Sequence, residues 1–466
     1  MSPTLQAFAD ALPASAIQTA AADLAPHLTD WRGSKTGHAT WLLLPDTLQQ
    51  VQAIVRIARR DGIALVPQGG NTGLVGGSVP EAMSARPVAI VSTRRMSRIR
   101  SIDAAGLCLV TEAGVPLASV HAAAADAGCV FPLSLGSKGS ATIGGLVSTN
   151  AGGVQVLRHG TMRALVLGVE AVLPDGSILD QLGALRKDNS GYDIKQLLIG
   201  GEGTLGIVTA AALRLVPAPA QTSVAWVGVA DLEAALRLLA RARRTLGETV
   251  ESFEVIDSDC LAMLLQHIPG SRAPLQGAHG YHILVEAAVP DAALAALLAE
   301  AIDAGDVRDA TIAASLAQAA DFWTLREAIA DAEKRDGGSL KNDISVAVAD
   351  VPRFHATAMA MLAQNFPGTR PLAFGHLGDG NLHFNIRPPR GVDTRAWLAG
   401  EGEAARRALH DILHAFHGSI SAEHGIRTLK AAELARLGDP GKLAAMRAIK
   451  AALDPDGIMN PHKIFA

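Results

Sequence analysis

The chain carries only three cysteines in 466 residues, Cys108, Cys129 and Cys260, and none of them forms a Cys-x-x-Cys pair. That scarcity excludes a disulfide framework and suits a reducing compartment. No run approaches 18 consecutive apolar residues, so no membrane-spanning helix is expected. A net charge of −4 leaves no basic excess, which disfavours nucleic acid or an anionic membrane surface as partner. The N-terminus lacks a basic stretch followed by an apolar core, so no signal peptide is read and a cytoplasmic location is the expectation. Internal repeats, heptad runs and low-complexity tracts are also missing.

What remains is a globular composition, 49% hydrophobic and 18% charged, in a chain long enough for two or three packed regions. Residues 1–35 read as Ala-rich helices. From 36 to 217 short β-like runs (Ala64–Val66, Ala89–Val91, Leu107–Val110) alternate with helical ones, 46–61 and 117–127, the first with Pro45-Asp46 in capping position. Pro217-Ala218-Pro219 reads as a linker. Residues 218–395 repeat strand-like runs (Val224–Val229, Tyr281–Val285) and Ala/Leu helices (231–246, 291–304). Residues 396–466 are mainly helical.

Glycine, 46 residues in all, is concentrated in three clusters. The first, Pro67-Gln68-Gly69-Gly70-Asn71-Thr72-Gly73-Leu74-Val75-Gly76-Gly77-Ser78, follows a strand-like run. Loops stripped of Cβ atoms let consecutive N–H groups converge on an anion. It neither opens a helix as Gly-x-Gly-x-x-Gly nor ends in Gly-Lys-Ser/Thr, so a nicotinamide Rossmann site and an NTPase are disfavoured. The second runs from Leu135-Gly136-Ser137-Lys138-Gly139-Ser140 through Gly144 to Asn150-Ala151-Gly152-Gly153. The third is Gly200-Gly201-Glu202-Gly203-Thr204-Leu205-Gly206-Ile207. Together they fit one long ligand touched in several places.

Phe374–Asn385 carries a different signal. Asp379-Gly380 between apolar runs predicts a β-hairpin with a two-residue turn. That turn sets His376 opposite His383, with Asn385 beside His383 on the same face, so two imidazoles could grip one metal ion. Glu423-His424 lies 40 residues further on. Glu423 would complete two histidines and a glutamate with one position open, as in catalytic zinc sites, and an extended backbone would turn His424 away to act as a base. Mixed N/O ligation favours zinc, with manganese and iron as the other candidates.

Pro67–Gly73, Gly136–Gly153 and Gly201–Ile207 resemble the FAD domain of the vanillyl-alcohol oxidase/p-cresol methylhydroxylase superfamily. Leu185–Asp193, Gly375–Asn385 and Ser421–Gly425 are similar to the D-2-hydroxyglutarate dehydrogenase family, whose wider group includes D-lactate dehydrogenase and the glycolate oxidase flavin subunit. The resemblance covers roughly residues 30–463. It implies an α+β fold: a two-subdomain FAD-binding domain of the p-cresol methylhydroxylase type, an α+β substrate (cap) domain, and a C-terminal segment returning to the flavin with Asn460. It further implies FAD-dependent oxidation of a D-2-hydroxy acid, D-2-hydroxyglutarate to 2-oxoglutarate first and D-lactate or glycolate as the alternative, with His376, His383 and Glu423 on a divalent metal and His424 as base. Arg326 and Lys341 are implied to bind the substrate carboxylate, and Asn385 to donate nearby. Neither of the first two clusters holds a His or Cys for covalent tethering, so FAD is expected to bind non-covalently. A quinone, an electron-transfer flavoprotein or a cytochrome is the expected acceptor, and a homodimer is an admissible assembly. The chain departs from the family pattern twice: Ala330 stands where a hydroxyl residue is expected one turn after Arg326, and Arg427 replaces the second glycine of Glu-His-Gly-Ile-Gly.

Overall fold

The computed structural model describes residues 2–33 and 35–465. The chain forms two compact units: Met1–Gly153, His159–Ala218 and Glu423–Ala466 in the first, Val154–Arg158 and Pro219–Ala422 in the second.

In the first unit, Trp41–Leu43, Val88–Ser92 and Ala64–Gln68 lie parallel in that order, with Ile17–Gln18 antiparallel on the outer edge. The crossover is helix Leu48–Asp61, which buries Val51, Ile54, Val55 and Ala58. This is the 3–4 spacing that lines one helical face. Its cap is the Thr47 side chain, which accepts from the Gln50 amide, rather than Asp46; Gly62 in the left-handed region (φ 68°) stops it. The described part of residues 1–35 holds a four-residue helix, Ala21–Leu24, and one helix longer than a single turn, Pro3–Ala11. Pro13 follows it, and Ile17–Gln18 is drawn into the sheet, so long-range pairing and proline override alanine propensity.

A five-stranded antiparallel sheet in the order Ile99–Asp103, Cys108–Glu112, Ile207–Arg214, Val166–Val172, Ile178–Gln181 completes the unit's main scaffold. Helix Pro440–Leu453 leads into a tight loop held by Asp454, whose carboxylate accepts the amides of Ile458 (3.0 Å) and Met459 (2.9 Å). Beyond it, Leu65 N–H donates to Ile458 O and Asn460 N–H to Leu65 O, both at 2.8 Å. The tail thus lies along the strand that runs into the first glycine cluster.

The second unit is built on a seven-stranded antiparallel sheet, ordered Asp309–Ile312, Ser223–Val229, Tyr281–Ala287, Val250–Asp257, Arg370–His376, Asn381–Arg387, Asp343–Ser345. Ala225, Val227, Phe253, Val255, Ile283 and Val285 face helices Leu232–Leu246, Asp291–Asp303, Val351–Asn365 and Glu401–Ala415. Val224, Trp226, Ile256, Leu284, Leu372 and Phe374 face helices Ser258–His267, Leu316–Glu327 and Ile329–Arg335. Burial on both faces explains why these strands read as continuous apolar runs.

Candidate active site

On the second of those faces the apolar lining is broken by a row of polar side chains. The hairpin joins Arg370–His376 to Asn381–Arg387, but its loop has four residues, 377–380, instead of two. The amides of Asp379 (3.2 Å) and Gly380 (3.1 Å) both donate to His376 O, winding Leu377 into the core. Gly380 sits at φ 83°, where an added Cβ would fall 2.1 Å from Val346 O. His383 therefore pairs with Phe374 rather than with His376. A shift of two positions preserves the face of every side chain. The two histidines end up diagonal, ring centroids 5.8 Å apart, each offering a nitrogen within 4.8 Å of the other's.

Flanking strands add a carboxylate to each ring. Glu254 lies directly opposite His376 and accepts from its Nδ1 at 2.5 Å; Asp343 lies opposite His383, its Oδ1 4.0 Å from Nδ1. For His376, holding Nδ1 on a carboxylate fixes the tautomer that presents Nε2, the usual outer-shell arrangement of a metal-ligating histidine; Asp343 stands near His383 but beyond hydrogen-bond reach. The donor set thus fits a divalent cation on these two rings. Glu254 is fully buried. Burial pushes its pKa up, but the pull of His376 and Arg326 and their hydrogen bonds outweigh it and hold the carboxyl at about 2.

Arg326 comes from helix Leu316–Glu327 and stacks over Phe374, 5.1 Å from the ring centroid. Its Nε and Nη2 both reach Glu254 Oε2 at 2.8 Å. A guanidinium has five N–H donors, and Nη1 donates to nothing among the described residues, which leaves it for an anion. Lys341 pairs with the fully buried Glu333, to which Asn385 Nδ2 also donates at 3.0 Å. Asn385 Oδ1 accepts from Asn342 N at 3.0 Å. Ala330 is exposed, just past a break in the helix at Ala328.

Glu254, Asp343 and Glu333 lie outside the motifs of the sequence, although Glu254 holds Arg326 and His376 and Glu333 holds Lys341 and Asn385. Glu333 did leave a signal: it lies seven residues after Arg326, two helical turns along the same face. Glu423 and His424 open the last stretch of the first unit. Residues 422–424 form a bend rather than an extended segment. Ser345 pairs with Ser419, and the Ala422 amide donates to Asp343 O at 3.4 Å.

Within the first unit the three glycine clusters meet. A Cβ on Gly70 would fall 1.8 Å from Ser140 O, one on Gly69 2.2 Å from Thr142 Oγ1, and one on Gly153 2.0 Å from Ser134 O. These glycines are small because loop approaches loop, and Gly144, in helix Ile143–Thr149, because a Cβ there would fall 2.7 Å from Ala113 Cβ. Gly136 and Gly139 face open space instead. The Glu202 amide donates to Ser148 O (2.7 Å), and Asn460 Nδ2 ties Gly77 O (3.0 Å) to Glu202 O (2.8 Å). Ser78 Oγ donates to Asn71 Oδ1 (2.8 Å), whose Nδ2 holds Thr29 O (2.9 Å). Ile207 is buried in the apolar cluster of Val172, Ile458 and Met459.

Among the buried side-chain atoms that lack a hydrogen-bond partner, Thr142 Oγ1 and Asn460 Oδ1 lie beside these loops, and no amide from Gly70 to Gly77 donates to a protein acceptor among the described residues. Buried polar groups are almost always paired, so orphans of this kind mark a ligand's place. Asn71, Asn150, Glu202, Arg427 and Asn460 all adopt positive φ near these loops. Such strain collects at binding sites. The orphaned donors, acceptors and open-facing glycines fit a large ligand with anionic groups, as FAD is.

The backbone defines the class first. It superposes on p-cresol methylhydroxylase with a TM-score of 0.76 at 16% identity, covering 99% of this chain and 96% of that one. Alkyldihydroxyacetonephosphate synthase gives 0.74 at 16%, covering 99% and 86%. At that identity the likeness is one of fold alone, the fold of p-cresol methylhydroxylase. Residues 39–181 match the FAD binding domain family and residues 218–464 the family of FAD linked oxidases, C-terminal domain. The chain is 38% identical to the mitochondrial D-2-hydroxyglutarate dehydrogenase of Arabidopsis thaliana (94% of this chain, 77% of that protein). It is 37% identical to the D-2-hydroxyglutarate dehydrogenase of Xanthomonas citri pv. viticola (99% and 97%) and 32% to the D-2-hydroxyglutarate–pyruvate transhydrogenase of Saccharomyces cerevisiae (95% and 89%). The chain belongs to the D-2-hydroxyglutarate dehydrogenase family of FAD-linked oxidases.

Proposed function

We propose that the protein is an FAD-dependent dehydrogenase that oxidises D-2-hydroxyglutarate to 2-oxoglutarate. The observation that carries this reading is the polar row on an otherwise apolar sheet face: two histidines, each opposite a carboxylate, beside a buried arginine with donors to spare. FAD, held non-covalently by the glycine loops, would supply the hydride acceptor for the substrate's C2. His376, His383 and Glu423 are the residues we assign to a divalent metal, zinc first. Glu423 follows Ala422, whose amide is bonded to Asp343, the partner of His383 in the sheet. Such a cation lowers the pKa of a substrate hydroxyl. His424 takes that hydroxyl proton, since an imidazole titrates near neutrality.

Arg326 binds a substrate carboxylate through Nη1, with Glu254 fixing the guanidinium plane. Lys341 and Asn385 supply further donors, both oriented by Glu333. An electron acceptor of the quinone, electron-transfer flavoprotein or cytochrome class regenerates the flavin. Three free, buried cysteines are compatible with a reducing compartment such as the cytoplasm. The test is to add D-2-hydroxyglutarate and, separately, D-lactate to the anaerobic flavoprotein. Faster bleaching by D-2-hydroxyglutarate supports the assignment, and preference for D-lactate overturns the substrate choice.

A further inference from the structure

Arg427 is 6% exposed and lies in the left-handed region at φ 44°, where a glycine would rest without strain. Its side chain lies along the first glycine loop. A Cβ on Gly77 would fall 2.1 Å from Arg427 Cδ, and one on Gly73 would fall 2.0 Å from Nη1. The guanidinium therefore occupies room that exists only because those two residues lack side chains.

Its one carboxylate neighbour among the described residues is Glu202, with Nε 3.8 Å from Oε2, beyond hydrogen-bond reach. Both Glu202 oxygens are instead taken by backbone amides, Ile426 at 2.8 Å and Arg427 at 3.0 Å. No guanidinium N–H of Arg427 donates a hydrogen bond among the described residues. Burial lowers its pKa, only partly offset by the charge of Glu202. Beside it, Lys463 and Lys35 share Glu81 at 2.6 and 3.2 Å. Three cations against two carboxylates leave a positive surplus next to a loop of unpaired amides.

We propose that Arg427 is a cofactor-binding residue, its guanidinium taking a phosphate of FAD over Gly73–Gly77. The proposal rests on the reading that the protein binds FAD. The two phosphates are the anionic groups of that molecule. A planar guanidinium matches phosphate oxygens two at a time, and convergent loop amides favour the same charge. Seated on Gly73 and Gly77, the side chain is buried rather than turned into solvent.

The test is a titration of flavin-stripped, full-length protein with FAD and with riboflavin, which lacks phosphate, followed by flavin fluorescence. Wild type is compared with Arg427→Gly and Arg427→Lys. In Arg427→Gly the Kd for FAD should rise about 10- to 100-fold, the range for one charge-assisted contact, while that for riboflavin stays within about twofold. Arg427→Lys should fall between. The melting temperature of stripped Arg427→Gly should not drop below wild type, because glycine relieves the positive φ. Equal FAD affinity in all three proteins overturns the proposal. So does an equal loss for FAD and riboflavin with a lower melting temperature, which would make Arg427 a strut for the loop. Unchanged FAD affinity with a raised KM for the hydroxy acid would reassign it to substrate. A wild type that takes up no FAD would bring down the functional reading as well, whereas wild-type uptake matched by Arg427→Gly would bring down this inference alone.

Discussion

Glu254→Gln removes one negative charge from the middle of the second unit's sheet and little else, since glutamine keeps the volume and an oxygen acceptor. Glu254 is fully buried and held at about 2 against an ordinary value of 4.5. At 1.36 kcal/mol per pKa unit, that depression corresponds to about 3 kcal/mol of stability at neutral pH. A second route agrees: breaking a buried ion pair by removing one partner costs about 3–5 kcal/mol. Because the folded pKa is depressed, the contribution is complete above about pH 4.5 and fades as pH falls towards 2. The assay is urea unfolding of wild type, Glu254→Gln, Arg326→Met and the double variant at pH 7 and again near pH 3. The single glutamine variant should lose about 3 kcal/mol at pH 7, less near pH 3, and should recover much of it with Arg326→Met, which removes the stranded guanidinium. A loss below about 1 kcal/mol at pH 7, or simple additivity in the double variant, would refute the reasoning.

Asp257 accepts the amides of Cys260 (2.6 Å) and Ala373 (2.5 Å), and burial raises its pKa to about 6 from 3.8. The unfolded chain gives up that proton first, so stability falls as pH rises from about 4 to 6. Asp257→Asn should therefore gain up to about 3 kcal/mol relative to wild type across that window, read by denaturant unfolding at each pH; a constant difference counts against it. Gly70→Ala places a Cβ 1.8 Å from Ser140 O, so the purified variant should carry markedly less flavin than wild type by absorbance. Full occupancy would contradict the contact between the first two clusters. Glu254→Gln should also weaken metal binding about 10- to 100-fold by loosening His376, measured by chelator competition. Unchanged affinity would separate Glu254 from the metal.

The seven-stranded sheet shows which parts of such a site can be read in a sequence. The Asp379-Gly380 turn signal is local, so the hairpin and its two histidines were legible, as were helices such as Leu232–Leu246 with its 3–4 apolar spacing. The register was off by two, because Leu377 prefers the core to a tight turn, and period-2 alternation kept the histidines on one face. Glu254 and Asp343 were not legible as their partners. They arrive through pairing of strands distant in the chain, a choice set by tertiary packing. The glycine clusters were legible as a ligand site, but several of those glycines are required by loop-on-loop contact, which only the coordinates show. Arg427 is legible in the sequence only as a departure from the family pattern; its seat on Gly73 and Gly77, against the first glycine loop, comes from the fold.

The central claim is that one centre combines flavin, metal and a histidine base to oxidise D-2-hydroxyglutarate. Anaerobic stopped-flow bleaching of the flavin tests it most directly, with wild type, chelator-treated wild type and His424→Ala each carrying full FAD. Wild type should bleach on mixing with D-2-hydroxyglutarate, and the other two should stay yellow while retaining flavin. Bleaching that persists undiminished after metal removal, or in His424→Ala, would contradict the account.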